Sequence, residues 1–403
     1  VAALAAQARQ MLAQPLIDRD ACWSAQQAAL EGIWASVGTT EQARLDAWRA
    51  ARGDEIEGWA RFCALAERHG ADWRRWSQEL RHPQGAAVAR AVVPVRDRVR
   101  FHAWLQMLIE DQLDAVREVG VRVVQDLAIG VDPAGADAWL CQDLLAAEFS
   151  IGAPPDEFAP EGQHWGFPPW VPWRLRDVGY RPLANLLRSA LVTGGGLRID
   201  HAMGLSRLFW IPDGGEPRDG TYVRFEGREL LDLVALESAR AQALVIGEDL
   251  GTVEPAFREE LTDTGILSTR VLWFEQDPPE SWPVQALAMV TTHDLPTLAG
   301  VCTGVDSPSP ARARLNGLVG PVEGRSVAEV SMEVHRRLGR SPAMLAVATL
   351  EDLLGVEERP NQPGTRAHDR PNWSRALPAT IEELVSNLGA RRALAALAAG
   401  RAG

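Results

Sequence analysis

Apolar side chains in the early part of the chain recur at helical spacing. Ile56, Trp59, Ala60 and Cys63 fall at i, i+3, i+4 and i+7. Phe101, Trp104, Leu105, Leu108 and Ile109 keep the same rhythm, which runs on to Leu113 and Val116. Residues 1–118 are therefore predicted to form a helical subdomain, broken at HPQG (82–85) and near Pro94. Trp23, Trp34, Trp48, Trp59, Trp73, Trp76 and Trp104 share this spacing and are predicted to pack inside it.

After Gly120 the period changes. VRVVQDLAIGV (121–131), GLRID (196–200), ALVIGED (243–249), TRVLWFE (269–275) and LAMVTTHD (287–294) are short apolar runs rich in β-branched residues, and MLAVATLED (344–352) is a weaker sixth. Helical patterns at 228–242 and 327–339 lie between them. Continuous apolar strands alternating with helices predict an α/β fold with a parallel sheet covered on both faces. Residues 119–403 are read as one catalytic domain. Its insertion at about 141–190, dense in Pro, Gly and Trp at 150–182, is expected to be irregular.

Composition narrows the chemistry. The 403 residues carry a formal net charge of −13, which argues against nucleic acid as a partner. All 41 cationic residues are arginine, so Schiff-base, pyridoxal-phosphate and P-loop chemistries that depend on lysine drop out. Cys22, Cys63, Cys141 and Cys302 are widely spaced and are read as reduced, buried thiols of a cytoplasmic protein. No metal-ligand spacing occurs among the eight histidines, so a metal hydrolase is not supported. No run of about 18 apolar residues suggests a membrane span. The Ala-rich start lacks a signal-peptide pattern and an initiator Met, which suggests a processed or truncated start.

Most of the predicted strands end in acids: Asp126, Asp200, Glu248–Asp249 and His293–Asp294. A single acidic strand end is read as a cap. Several at one edge would crowd negative charge into one pocket, an arrangement that glycosidic bond cleavage uses: one carboxylate as nucleophile, one protonated carboxyl as general acid. Arg198, two residues before Asp200, should share its face and hold it ionised. Glu248 and Asp249 are adjacent, so only one can face a pocket.

LRIDHAMGLSRLFWIP (197–212), VIGEDLGTV (245–253) and TTHDLPTLAG (291–300) together resemble the 4-α-glucanotransferases, or amylomaltases, of the α-amylase superfamily. QDLAIGVDPAGADAW (125–139), GAPPDEFAPEGQHWG (152–166) and NQPGTRAHDRPNW (361–373) agree, so the resemblance runs from about residue 98 to the C-terminus. It implies a TIM (β/α)8-type barrel, of which this chain would hold six strands and lack the first two. It implies Asp200 as nucleophile, Glu248 as acid/base and Asp294 as the carboxylate that grips sugar hydroxyls. Arg198, His201 and His293 match supporting residues, while Asp126, Trp165 and Asn361 match substrate-contacting positions. The implied reaction moves an α-1,4-glucan segment between maltooligosaccharides without a cofactor. An α-glucan hydrolase, or a non-catalytic glucan-binding fragment, are the alternatives.

Overall fold

A computed structural model describes residues 11, 14–155, 160–192, 194–251, 253–365 and 368–402. Residues 1–10, 12 and 13 of the Ala-rich start lie outside them. So do Asp156–Ala159, Thr252, and Arg366 with Ala367, which belong to three of the motifs quoted above. The chain divides into two compact units, Leu30–Val245 and Val1–Ala29 with Ile246–Gly403.

In the first unit, the helices Thr39–Arg52, Asp54–His69 and Arg96–Glu118 follow the predicted period. Leu45, Phe101, Trp104 and Met107 form one apolar cluster. Phe62, Trp76 and Trp139 form another, with Phe62 stacked on Trp76 at 5.4 Å and Trp139 set edge-on to Trp76 at 5.7 Å. The long helix buries only its N-terminal half. Ile109 and Val116 keep the helical spacing but are exposed. Trp23, which belongs to the other unit, is half exposed rather than packed.

β1 (Val124–Leu127) opens the α/β part. The expected irregular insertion is instead partly regular. β2 (Phe149–Ala153), β3 (Gln163–His164) and the helices Pro172–Asp177 and Arg181–Leu191 fall within it. Composition misled here because Gly152 is required by a close approach: a Cβ there would lie 2.1 Å from the Gln163 carbonyl. β4 (Gly196–Ile199) pairs parallel with β1. β5 (Arg207–Pro212) and β6 (Thr221–Arg224) complete an antiparallel sheet in the order β3-β2-β5-β6. β7 (Leu244–Gly247) starts with the Leu244 N–H donating to the Gly195 carbonyl, at 3.4 Å.

In the second unit, β8 (Ser268–Val271), β9 (Ala286–Met289) and β10 (Leu345–Val347) form a parallel sheet in the order β10-β9-β8. Its core gathers Val271, Leu272, Val290, Leu298, Val330, Val334 and Leu338. Helix Val327–Gly339 opens with a capping box between Ser326 and Glu329. It crosses helix Leu388–Arg401 at Gly339 and Gly400, where a Cβ on Gly339 would meet the Leu397 carbonyl at 2.2 Å. The α/β class and the six predicted parallel strands are present. Among the described residues neither three-stranded sheet closes into a barrel.

Candidate active site

The predicted acids fall into two groups, each organised by its own unit. In the first, parallel pairing sets Asp126 of β1 opposite Arg198 of β4. Asp200 follows β4 directly and is tied to the β1 end by its N–H, which donates to the Leu127 carbonyl at 3.0 Å. Arg198 Nη1 donates to Asp126 Oδ1 at 2.6 Å and to Asp200 Oδ1 at 3.1 Å. Residues i and i+2 of a strand share a face, so the sequence expectation for Arg198 and Asp200 is realised as an ion pair. Asp126, expected to touch substrate, is here a partner of Arg198.

His201 takes the left-handed conformation, φ 46°, at the sharp turn after the strand. Trp165 sets its ring edge-on to the imidazole at 5.2 Å and donates its Nε1–H to Gln163 Oε1 at 3.1 Å. Burial first, and the charge of Arg207 second, push the His201 imidazole down to about 4. It is neutral at pH 7, able to donate from one ring nitrogen and accept at the other. Arg207 lies over the Tyr222 ring, 4.3 Å from its centroid. A cavity of about 340 Å³ opens beside Asp200 and His201, walled by Ile129, Leu175, Leu208 and Phe225 among others.

In the second unit, Glu248 and Asp249 leave β7 in different directions. Asp249 is fully buried. Its Oδ1 accepts the Thr269 N–H at 2.7 Å and its Oδ2 accepts Arg258 Nε at 3.0 Å, fastening the end of β7 to β8. Glu248 stays partly accessible, and its Oε1 accepts the Leu250 N–H at 2.9 Å. The adjacency rule from sequence thus resolves with Glu248 as the available acid.

Asp294 lies five residues beyond the end of β9, on a turn rather than at the strand terminus expected from LAMVTTHD. Asn361 Nδ2 donates to its Oδ1 at 2.6 Å, and His293 Nε2 lies 3.3 Å from its Oδ2. The turn is strapped from behind. Arg359 Nη1 donates to the Asp294 carbonyl at 2.8 Å while its Nε and Nη2 grip Asp306 at 2.6 and 2.7 Å. Leu298, which opens the following helix, donates its N–H to buried Asp352 at 2.7 Å. Arg359 and Asp306 escaped the sequence reading, and Asp352, which ends the 344–352 run, was given no role there. The one signal for them was their nearness to the quoted motifs.

The described residues contain no group of three or more His, Cys, Asp or Glu placed to hold a metal. The four cysteines are free and only partly buried, and desolvation raises the Cys63 thiol to about 12. No described helix is long and apolar enough to cross a membrane.

The family model Glyco_hydro_77, 4-alpha-glucanotransferase, matches residues 1–380. The chain belongs to glycoside hydrolase family 77. A 4-alpha-glucanotransferase of Mycobacterium bovis is 41% identical over 403 residues, covering 89% of this chain and 55% of that protein. One from Haemophilus influenzae is 33% identical, covering 80% of this chain and 52% of the relative. The crystal structure of amylomaltase from Corynebacterium glutamicum superposes with a TM-score of 0.85 at 33% identity, over 99% of this chain and 62% of that one. The family 77 chain described here therefore spans about half the length of the curated relatives it matches.

Proposed function

We propose that this chain transfers α-1,4-glucan segments between maltooligosaccharides by a retaining double displacement. The observation that carries the reading is the Asp126–Arg198–Asp200 cluster at the strand ends of a family 77 chain. Asp200 attacks the anomeric carbon through a carboxylate oxygen while Glu248 gives its proton to the departing 4-oxygen. A covalent glycosyl-Asp200 results. Glu248, now a base, takes the proton from the 4-hydroxyl of the acceptor as that oxygen displaces Asp200. Asp294 grips sugar hydroxyls and favours the distorted ring. Arg198 orients Asp200 by a charge-assisted bond, and neutral His201 supplies a hydroxyl partner that adds no second cation beside it.

The reading includes a (β/α)8-type barrel to which the six parallel strands contribute, a helical subdomain over 1–118, and a cytoplasmic setting. Incubation with maltotriose tests the reaction. A ladder of longer chains with free glucose is expected. Glucose and maltose alone would make the chain a hydrolase, and no product at all would reject catalysis by this chain.

A further inference from the structure

Trp373 combines features that packing alone does not explain. It is a bulky aromatic held at φ 58°, in the left-handed region that such side chains avoid. The conformation is pinned from both sides of the residue. Its N–H donates to the Pro360 carbonyl at 2.9 Å, and its own carbonyl accepts from Arg19. Held this way, the indole reaches the His293 imidazole, with ring centroids 4.9 Å apart and planes tilted by 49°. Yet the residue is 49% exposed. A strained backbone that secures a half-exposed indole beside a candidate site residue is the signature of a binding surface rather than a core contact.

The strap supports this placement. Arg359 and Asn361 hold the Asp294 turn at one end of the segment, with the Asn361 N–H donating to the His293 carbonyl at 3.1 Å. The Trp373–Pro360 bond brings the far end of the same segment back to that point. One loop thus presents an amide on the Asp294 carboxylate and an indole against His293. A pyranose offers hydroxyls at its rim and an apolar C–H face, which are the two surfaces this pair would meet.

We infer that Trp373 is a stacking platform for a glucosyl ring bound next to Asp294 and His293. The inference rests on the glucan reading above and adds a binding residue to it. Maltoheptaose binding is measured by calorimetry in an Asp200→Asn background, so that turnover does not intervene. Trp373→Ala and Trp373→Leu are expected to weaken binding about tenfold, while Trp373→Phe stays within about threefold. All three keep a β-carbon at the strained φ, so none gains stability by relaxing the backbone. Leu keeps apolar bulk against His293 without an aromatic face, so wild-type affinity in Trp373→Leu would overturn the platform in favour of simple packing.

A second measurement uses the unaltered chain. Maltoheptaose should slow N-bromosuccinimide oxidation of Trp373 severalfold, read by peptide mass, while exposed Trp23 and Trp173 serve as unprotected controls. Equal oxidation rates at Trp373 with and without the sugar would also overturn it. If the parent chain binds no maltoheptaose, the glucan reading fails first and the platform falls with it. Binding that ignores Trp373 overturns the platform alone.

Discussion

Asp200 and Asp294 are both candidate site carboxylates, but the chain holds them by different means. Asp200 is held by charge on a rigid element: its N–H joins the β1 end, and Arg198 reaches it from two residues back on the same strand. Asp294 sits on a turn and is held by a neutral amide, an imidazole and a strap drawn from 65 to 67 residues further along. A strand end places a nucleophile with little further help. A turn needs external ties, and here they are a side-chain amide and an arginine strap. The same contrast sets where each group is vulnerable: Asp200 in its chemistry, Asp294 in its scaffold.

The largest expected effect tests the chemical side. Asp200→Asn, Glu248→Gln and Asp294→Asn should each lower transfer from maltotriose by roughly a thousandfold or more, with melting temperatures close to the parent. Glu248→Gln retains an acceptor for the Leu250 N–H, so folding is a fair control. Retained activity in any of the three would remove that residue from the mechanism.

The scaffold side is tested by two arginines. Arg359→Ala leaves the mostly buried Asp306 without its bidentate partner and should cost about 3 kcal/mol in denaturant unfolding. Arg198→Ala breaks pairs whose carboxylates are well exposed and should cost about 1 kcal/mol or less, yet reduce kcat/KM by about a hundredfold. Equal stability losses would erase the distinction between the two carboxylates.

The two units should also differ in their pH dependence. His201 titrates near 4 in the fold against an ordinary 6.5, so the unfolded chain binds its proton first as pH falls. Stability is lost between about pH 6.5 and 4, on the order of 2 kcal/mol, and His201→Gln should flatten that limb. Asp352 runs the other way. Burial raises its carboxyl from 3.8 to about 7, so the unfolded chain ionises first as pH rises and stability falls between about pH 4 and 7. Asp352→Asn, which keeps an acceptor for the Leu298 N–H, should remove that loss, again on the order of 2 kcal/mol. Chemical denaturation at pH 4, 5.5 and 8 reads both.

The smallest effect sharpens the strap. Asn361→Ala removes one neutral donor from Asp294 and should lower kcat about tenfold, with stability changed by about 1 kcal/mol. An effect confined to KM would move Asn361 from positioning Asp294 to contacting substrate.

How far the chain could be read without its structure differs by region. The parallel strands were legible because their apolar runs are short and continuous, as strands covered on both faces require. The antiparallel sheet was not: β2 and β3 hide in a Pro- and Gly-rich stretch where Gly152 serves a close approach, not a loop. Helical periodicity located the helix Arg96–Glu118 but not where its burial ends: Ile109 and Val116 keep the spacing yet are exposed.

The sequence by itself determined which chemistry is available: arginine as the cationic side chain, acids after strands, and Arg198 two positions before Asp200. Those are matters of residue type and of short-range alternation along a strand, both local properties. Tertiary structure decided which of two neighbouring acids is buried, sealing Asp249 under Thr269 and Arg258 and leaving Glu248 accessible. It also chose Arg198 as the partner of Asp126, and Arg359 with Asn361 as the supports of Asp294. Such partners lie dozens of residues apart, where local periodicity carries no information. Strand register and loop closure alone bring them within hydrogen-bonding reach.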